Sequence, residues 1–272
     1  NDYFYAKKEY ICAMKLSIVI STYNNASSLV RTLESVAKQD ADQSLWECVV
    51  VNNNSSDDTA EAFARFASDH QDFNLRLVTE VKQGLSNARN CGIEASVGEY
   101  IAIVDDDETI EQSFVESYIE FFDSFPQAMA AGGAVRAVFE SGRPRWMSHY
   151  TERMIANTLD LDIAVTLFPK DRVPAGGNMA FRREIFDRVG VFNPQLGRNG
   201  ASLMGGEESE LFERIAKQEY RVYYAPRAVM YHIIPAEKLT KEYFTRLARN
   251  TGISQHTRAK EHHRTCGLYV GE

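Results

Sequence analysis

The stretch Tyr100-Ile101-Ala102-Ile103-Val104-Asp105-Asp106-Asp107-Glu108 constrains the fold most, because five apolar residues run directly into four acids. An Ile- and Val-rich run of that length, bounded by polar sequence, predicts a strand buried on both faces of a sheet. Carboxylates cannot stay in such an interior unpaired, so the chain must leave the sheet where solvent or a cation meets them. Side chains alternate along extended backbone, which puts Asp105 and Asp107 on one side and Asp106 on the other. Such an Asp-x-Asp pair can share a hard cation, Mg2+ or Mn2+, whose remaining ligands come from water and substrate phosphates. A solvated acidic turn leading to a helix N-terminus accounts for the same residues equally well.

The rest of the first half repeats the pattern of apolar run, polar tip and helix. Residues 16–20 predict a first strand ending in Ser21-Thr22-Tyr23-Asn24-Asn25, followed by a helix with Leu29, Val30, Leu33 and Val36 on one face. Residues 47–51 predict a second strand ending in Asn52-Asn53-Asn54, then a helix opened by Asp57 and Asp58. Residues 75–79 are less apolar and predict a strand nearer an edge. A short helix follows Gly84, and then the acid-tipped strand. Regular alternation predicts an α/β fold, a mainly parallel central sheet with helices on both faces. Right-handed crossovers place the strands' carboxyl ends along one edge, where ligands bind in open sheets. Thr22, Tyr23, Asn52, Asn53 and the aspartates lie on that edge, which favours a ligand site over three unrelated solvated turns. No glycine-rich phosphate loop follows the first strand, so a carboxylate-bound cation is the expected holder of a nucleoside diphosphate.

In the second half, residues 114–125 predict a helix stopped by Pro126, and residues 134–139 a strand. Residues 145–173, with Trp146, read either as a mobile acceptor-side loop or as a surface helix resting on its aromatics. Gly176 and Gly177 permit close backbone approach to a ligand or a neighbouring strand. Glu207 and Glu208 follow Gly205-Gly206 at the start of a helix. Capping explains acids there, but a carboxylate beside flexible backbone is also placed to accept a proton from a hydroxyl. Residues 221–225 and 228–232 predict two strands, with His232 at the tip of the second. From Pro235 a basic amphipathic helix is expected, which either packs on the domain or touches anionic lipid through residues 236–251.

Composition narrows the function classes. The 272 residues are 44% hydrophobic, enough for a large core, and the net charge of -8 argues against a general nucleic-acid binder. Four cysteines without a Cys-x-x-Cys pair indicate neither a zinc site nor a disulfide framework. No apolar run spans a bilayer and no secretory segment is evident, so a cytoplasmic protein is expected, possible membrane contact being peripheral.

These residues, taken in order, resemble the family 2 inverting glycosyltransferases of the GT-A fold, enzymes of bacterial polysaccharide synthesis. The resemblance covers most of residues 15–232. It rests on Ser17–Asn24, on Asn52–Thr59, on the Ala88-Arg89-Asn90-Cys91-Gly92 box, on Asp105-Asp106-Asp107 and on Gly206-Glu207-Glu208. It implies a GT-A-like domain over residues 15–235; by their own composition residues 1–14 are expected to form an arm and residues 236–272 a helical tail. Within the domain it implies a nucleotide-binding half, 15–110, and an acceptor half, 111–235. It further implies a nucleoside diphosphate sugar donor, a UDP-sugar, held by Thr22, Tyr23, Asn24, Asn52, Asn53, Arg89, Asn90, Asp105 and Asp106. Asp105, Asp107 and His232 are the implied ligands of Mg2+ or Mn2+. Glu208 is the implied general base, with Glu207 orienting the acceptor. Gly177, Asn178 and Trp146 are expected beside a glycan or lipid-linked acceptor. The family usually has Asp where this chain has Asn52 and Asn53, which loosens the expectation of uracil, and Asp where it has Glu208. A nucleotide-sugar hydrolase and a non-catalytic nucleotide-binding protein are the alternatives.

Overall fold

The computed structural model describes residues 14–169, 172–199 and 205–261. Most of the arm expected over residues 1–14 therefore lies outside the described residues. β1 (Leu16–Thr22), β2 (Trp46–Asn52) and β4 (Tyr100–Asp105) are buried along almost their whole length, as their apolar runs require. β3 (Asn74–Thr79) is half-exposed and forms one edge of the sheet. Between them lie α1 (Ala26–Val36), α2 (Thr59–Asp69) and α3 (Leu85–Ala95). β5 (Glu108–Ile110) and α4 (Phe114–Ser124) come next, followed by β6 (Ala130–Phe139), α5 (His149–Ala156) and β7 (Thr166–Leu167). The remainder is β8 (Met179–Arg182), α6 (Glu184–Val189), α7 (Glu207–Lys217), β9 (Val222–Ile234), a 3-10 turn over Ala236–Lys238, and α8 (Lys241–Glu261).

The described strands form one sheet in the order β3-β2-β1-β4-β8-β6-β9-β5, with β7 beside β9. The expectation of a mainly parallel sheet is corrected here. Parallel pairing holds through β3-β2-β1-β4 and again between β6 and β9. β8 runs antiparallel to both β4 and β6, and β5 and β7 run antiparallel to β9. Apolar content reports that a strand is buried, not which way its neighbour runs. The two strands expected over residues 221–232 are one, β9, with a register shift where Pro226-Arg227-Ala228 bulge against Gly133/Ala134 of β6.

Alternation along the strands loads both faces. Ile18, Ile20, Val50, Ala102 and Val104 face α1, α2 and α4 in one core, whereas Val19, Val51, Ile101 and Ile103 face α3, α6 and α7 in another. Gly92 lets α3 sit directly on β1, since a Cβ there would run into Val19. A third cluster joins Met147, Ile155, Ala156, Ile234 and Leu239 to Trp146 and Phe244, packing α8 on α5. Register then assembles the polar edge. Thr22 pairs with Asn52 and Ser21 with Asp105, so the three tips emerge side by side.

Candidate active site

A cavity of about 640 Å3 opens at that edge. Thr22, Tyr23, Asn24, Asn53, Arg89, Asp105, Asp106, Asp107, Glu207 and Glu208 all line it. Asn24 makes the first wall. It adopts a left-handed backbone, φ 49°, which asparagine tolerates, and its Oδ1 accepts the amides of Ser56 at 2.7 Å and Asp57 at 3.3 Å. The tips of β1 and β2 are thereby tied together, and Tyr23 is left 42% exposed in the cavity.

The acidic turn is held from below by α1. Thr32 donates its hydroxyl to the carbonyls of Asp106 and Glu108, and Asn25 gives its amide to Asp106 Oδ1 at 3.0 Å, so it does not cap α1. Burial, reinforced by the charges of Asp107 and Asp105, pushes the Asp106 carboxyl up to about 7. Burial opposes ionisation of Asp107 too, but Lys238, His232 and Arg198 outweigh it and hold that carboxyl below its usual range. Lys238 Nζ lies 3.1 Å from Asp107 Oδ2.

Glu207 and Glu208 begin α7 behind Gly206, whose φ is 110°. They do more than complement the helix terminus, because Arg89 of α3 joins them to the acidic turn. The Arg89 guanidinium is fully buried. It donates to Glu207 Oε1 at 3.2 Å, Glu208 Oε1 at 3.0 Å, Asp105 Oδ1 at 3.0 Å and the Gly176 carbonyl at 3.3 Å. Burial disfavours its charge, but the three carboxylates outweigh that and raise its pKa. The two glutamates are pushed apart. Burial and the Glu208 charge raise Glu207 to about 8, while for Glu208 the attraction of Arg89 overcomes burial and keeps it low. One carboxyl is thus held above its ordinary range beside one held below it. The paired glycines leave room for this arrangement: a Cβ at Gly176 would run into Glu208, and one at Gly177 into Glu108.

Several residues expected at the site do other work. Asn53 lines the cavity, yet its Nδ2 donates to the carbonyls of Glu80 and Lys82 and its Oδ1 accepts the Gly84 amide, shaping the loop before α3. Asn52 accepts the Ser55 amide, and Asn90 pairs with both backbone groups of Phe192 at 2.8 and 2.9 Å. Asn178 is fully buried, where it takes the Tyr118 hydroxyl at 2.6 Å and donates to the carbonyls of Ala134 and Ala228. Trp146 packs against Phe244, 6.2 Å between ring centroids. Gly177, Asn178 and Trp146 therefore do not line the cavity. Ser21 of the first polar tip also lines the cavity, and so do Arg198, Leu247 and Thr251, which no motif pointed to. α8 thus has a face on the cavity as well as one on α5. No helix among the described residues is long and apolar enough to cross a membrane.

The acidic turn offers a divalent cation only part of a donor set. Among the described residues no three His, Cys, Asp or Glu side chains are placed to hold one by themselves. His232 faces Glu108 across β5 and β9, and its Nδ1 is bonded to the Ala156 carbonyl at 2.9 Å. The acidic turn nevertheless brings Asp105, Asp106, Asp107 and Glu108 together, with Asp105 paired to Arg89 and Asp107 to Lys238. Hard oxygen donors open to a cavity fit a divalent cation such as Mg2+ or Mn2+ completed by phosphate oxygens.

Comparisons with known proteins bear on the family and the fold. The profile described as Glycosyl transferase family 2 matches residues 17–190. The chain is 28% identical over 231 residues to the glucosyl-dolichyl phosphate glucuronosyltransferase of Haloferax volcanii, covering 80% of this chain and 69% of that protein. Over 228 residues it is 25% identical to the succinoglycan biosynthesis protein ExoM of Rhizobium meliloti, covering 83% and 69%. The mannosyltransferase PcManGT of Pyrobaculum calidifontis, solved with GDP-Man and Mn2+, superimposes with a TM-score of 0.61 at 23% identity, over 86% of this chain and 64% of that one. GalNAc-T7, solved with UDP, GalNAc and Mn2+, gives 0.65 at 18% identity, over 95% and 53%. The chain spans about half to two thirds of the length of these two solved structures. The likenesses show a GT-A-like fold with a mixed sheet, and the profile match over most of the described chain shows that it belongs to glycosyl transferase family 2.

Proposed function

We propose that the chain moves a sugar from a nucleoside diphosphate sugar, a UDP-sugar or GDP-sugar, to a hydroxyl of a glycan or lipid-linked acceptor, inverting the anomeric centre. The observation that carries this reading is the placement of the aspartate turn and the paired glutamates on one cavity, joined through Arg89. Tyr23 and the loops tied by Asn24 and Asn53 form the nucleoside end. Asp105 and Asp107 would hold Mg2+ or Mn2+, which when bound neutralises charge on the departing diphosphate.

Glu208 is the general base, kept ionised by Arg89 and aimed at the cavity. As the acceptor oxygen bonds to the anomeric carbon, its proton passes to a Glu208 carboxylate oxygen, and the bond from that carbon to the diphosphate oxygen breaks. Attack from the face opposite the leaving group inverts the configuration. Glu207, its carboxyl raised by burial and by the Glu208 charge, lies beside the base and orients the acceptor. The name of the Haloferax relative, glucosyl-dolichyl phosphate glucuronosyltransferase, supports a lipid-linked acceptor.

UDP- and GDP-sugars screened for protection against thermal unfolding, with and without Mn2+, identify the donor, because only a tight ligand shifts the transition strongly by mass action. NMR of the product formed with that donor and an acceptor extract is expected to show an inverted anomer. Release of free sugar with no glycoside formed would make the chain a hydrolase.

A further inference from the structure

We infer that Lys238 is a second cationic group of the donor site, which leaves Asp107 and takes the diphosphate when the nucleotide sugar binds; the inference rests on the sugar-transfer reading above. Lys238 is remote from every motif of the first half of the chain, yet its ammonium lies 3.1 Å from Asp107 Oδ2 at the tip of the acidic turn. With side chains 25% and 29% exposed, the pair is sheltered rather than a solvated surface contact.

The backbone that carries Lys238 is fixed. Ile234 and Leu239 on either side are buried with Met147, Ile155 and Ala156, and the Lys238 and Leu239 amides close the 3-10 turn onto Pro235 and Ala236 at 3.0 Å. A four-carbon stem above a fixed turn can swing its ammonium between neighbouring anions without moving the chain. The segment leads into α8, whose Leu247 and Thr251 reach the wall of the same cavity that Asp107 lines.

Charge decides which anion comes next. Arg89 commits both terminal nitrogens to Asp105, Glu207, Glu208 and the Gly176 carbonyl, and only its buried Nε is left without a partner. Arg198 also lines the cavity but is exposed. Lys238 is the sheltered cation that can be released: a divalent ion on Asp107 competes with the ammonium for that carboxylate, and the diphosphate entering beside it is the nearest new acceptor. Lys238 thereby joins arrival of the charged half of the donor to the C-terminal segment.

The test compares wild type, Lys238→Met and Lys238→Arg by calorimetry, with thermal melts in parallel. The probes are Mn2+ alone, then UDP, GDP, uridine and guanosine in the presence of Mn2+. Lys238→Met is expected to weaken the diphosphate that wild type binds by about tenfold or more, the size of one charge-assisted hydrogen bond. It is expected to leave the matching nucleoside within about twofold and to bind Mn2+ alone at least as tightly as wild type, since the competing ammonium is gone. Lys238→Arg should recover most of the diphosphate affinity. Unchanged diphosphate affinity in Lys238→Met, an equal loss for the nucleoside, or weaker Mn2+ binding would overturn the inference. If wild type binds neither UDP nor GDP, the sugar-transfer reading itself fails and this inference with it.

Discussion

Arg89 holds three carboxylates from different parts of the chain, and its fork geometry is what makes that possible. Arg89→Lys keeps the charge but cannot reach all three, so Glu208 loses part of the attraction that keeps it low. The acid limb of kcat/KM belonging to Glu208 is expected below pH 4.5 in wild type and to move upward in Arg89→Lys, as read from pH-rate profiles. Glu207 behaves in the opposite sense. Its folded pKa lies above its unfolded value, so it contributes stability that is fully present below about pH 4.5 and is lost as pH rises through about 8. Glu207→Gln cannot ionise. Melting curves across that window should show a flatter decline of Tm with pH for this variant than for wild type. The chemistry of these residues was partly legible in the sequence: four adjacent acids after a buried strand demand a cation or a cavity, and two glycines before two acids ask for an explanation beyond capping. The identity of their common partner was not. Arg89 carries no local sign of the partners it meets, because those partners lie 16, 118 and 119 residues away.

At the scale of elements, strands buried on both faces were readable and pairing direction was not. β1, β2 and β4 follow their apolar runs to within two residues, and β3 takes the edge its lower apolar content predicts. β5 escaped notice because it opens with Glu108, whose carboxyl burial raises well above its ordinary range. The first four residues of β6, Ala130–Gly133, escaped because small residues have weak strand preference; a Cβ at Gly133 would run into the Ala228 carbonyl and Asn178. Asn178 shows the same limit from the other side. A polar residue after two glycines looks like a ligand contact, yet it cross-links β6, β9 and α4 in the core. Asn178→Ala strands two buried carbonyls and a hydroxyl. It is expected to cost at least about 3 kcal/mol, at about one to three for each of the three groups left unpaired, and to lower Tm by several degrees or more without changing the acceptor KM of the folded fraction.

At the scale of the whole molecule, the site exists because parallel strands place their tips along one edge while α7 and α8 close over it from the second half of the chain. The amphipathic C-terminal helix illustrates why such a closure is hard to read in advance. Its apolar residues satisfy a membrane surface as well as a protein one, and only the packing of Phe244 on Trp146 and of Leu247 at the cavity shows where they go. The central claim is that the aspartate turn and the paired glutamates serve one reaction in separate roles. The most direct measurement is Mn2+-dependent binding of the nucleoside diphosphate, by calorimetry, set beside turnover for wild type, Asp107→Asn and Glu208→Gln. Asp107→Asn is expected to lose the Mn2+ dependence of binding. Glu208→Gln is expected to bind as wild type does and to transfer sugar about a hundredfold or more slowly, within the range of a lost general base. Wild-type turnover in Glu208→Gln, or unaltered Mn2+-dependent binding in Asp107→Asn, would contradict the account.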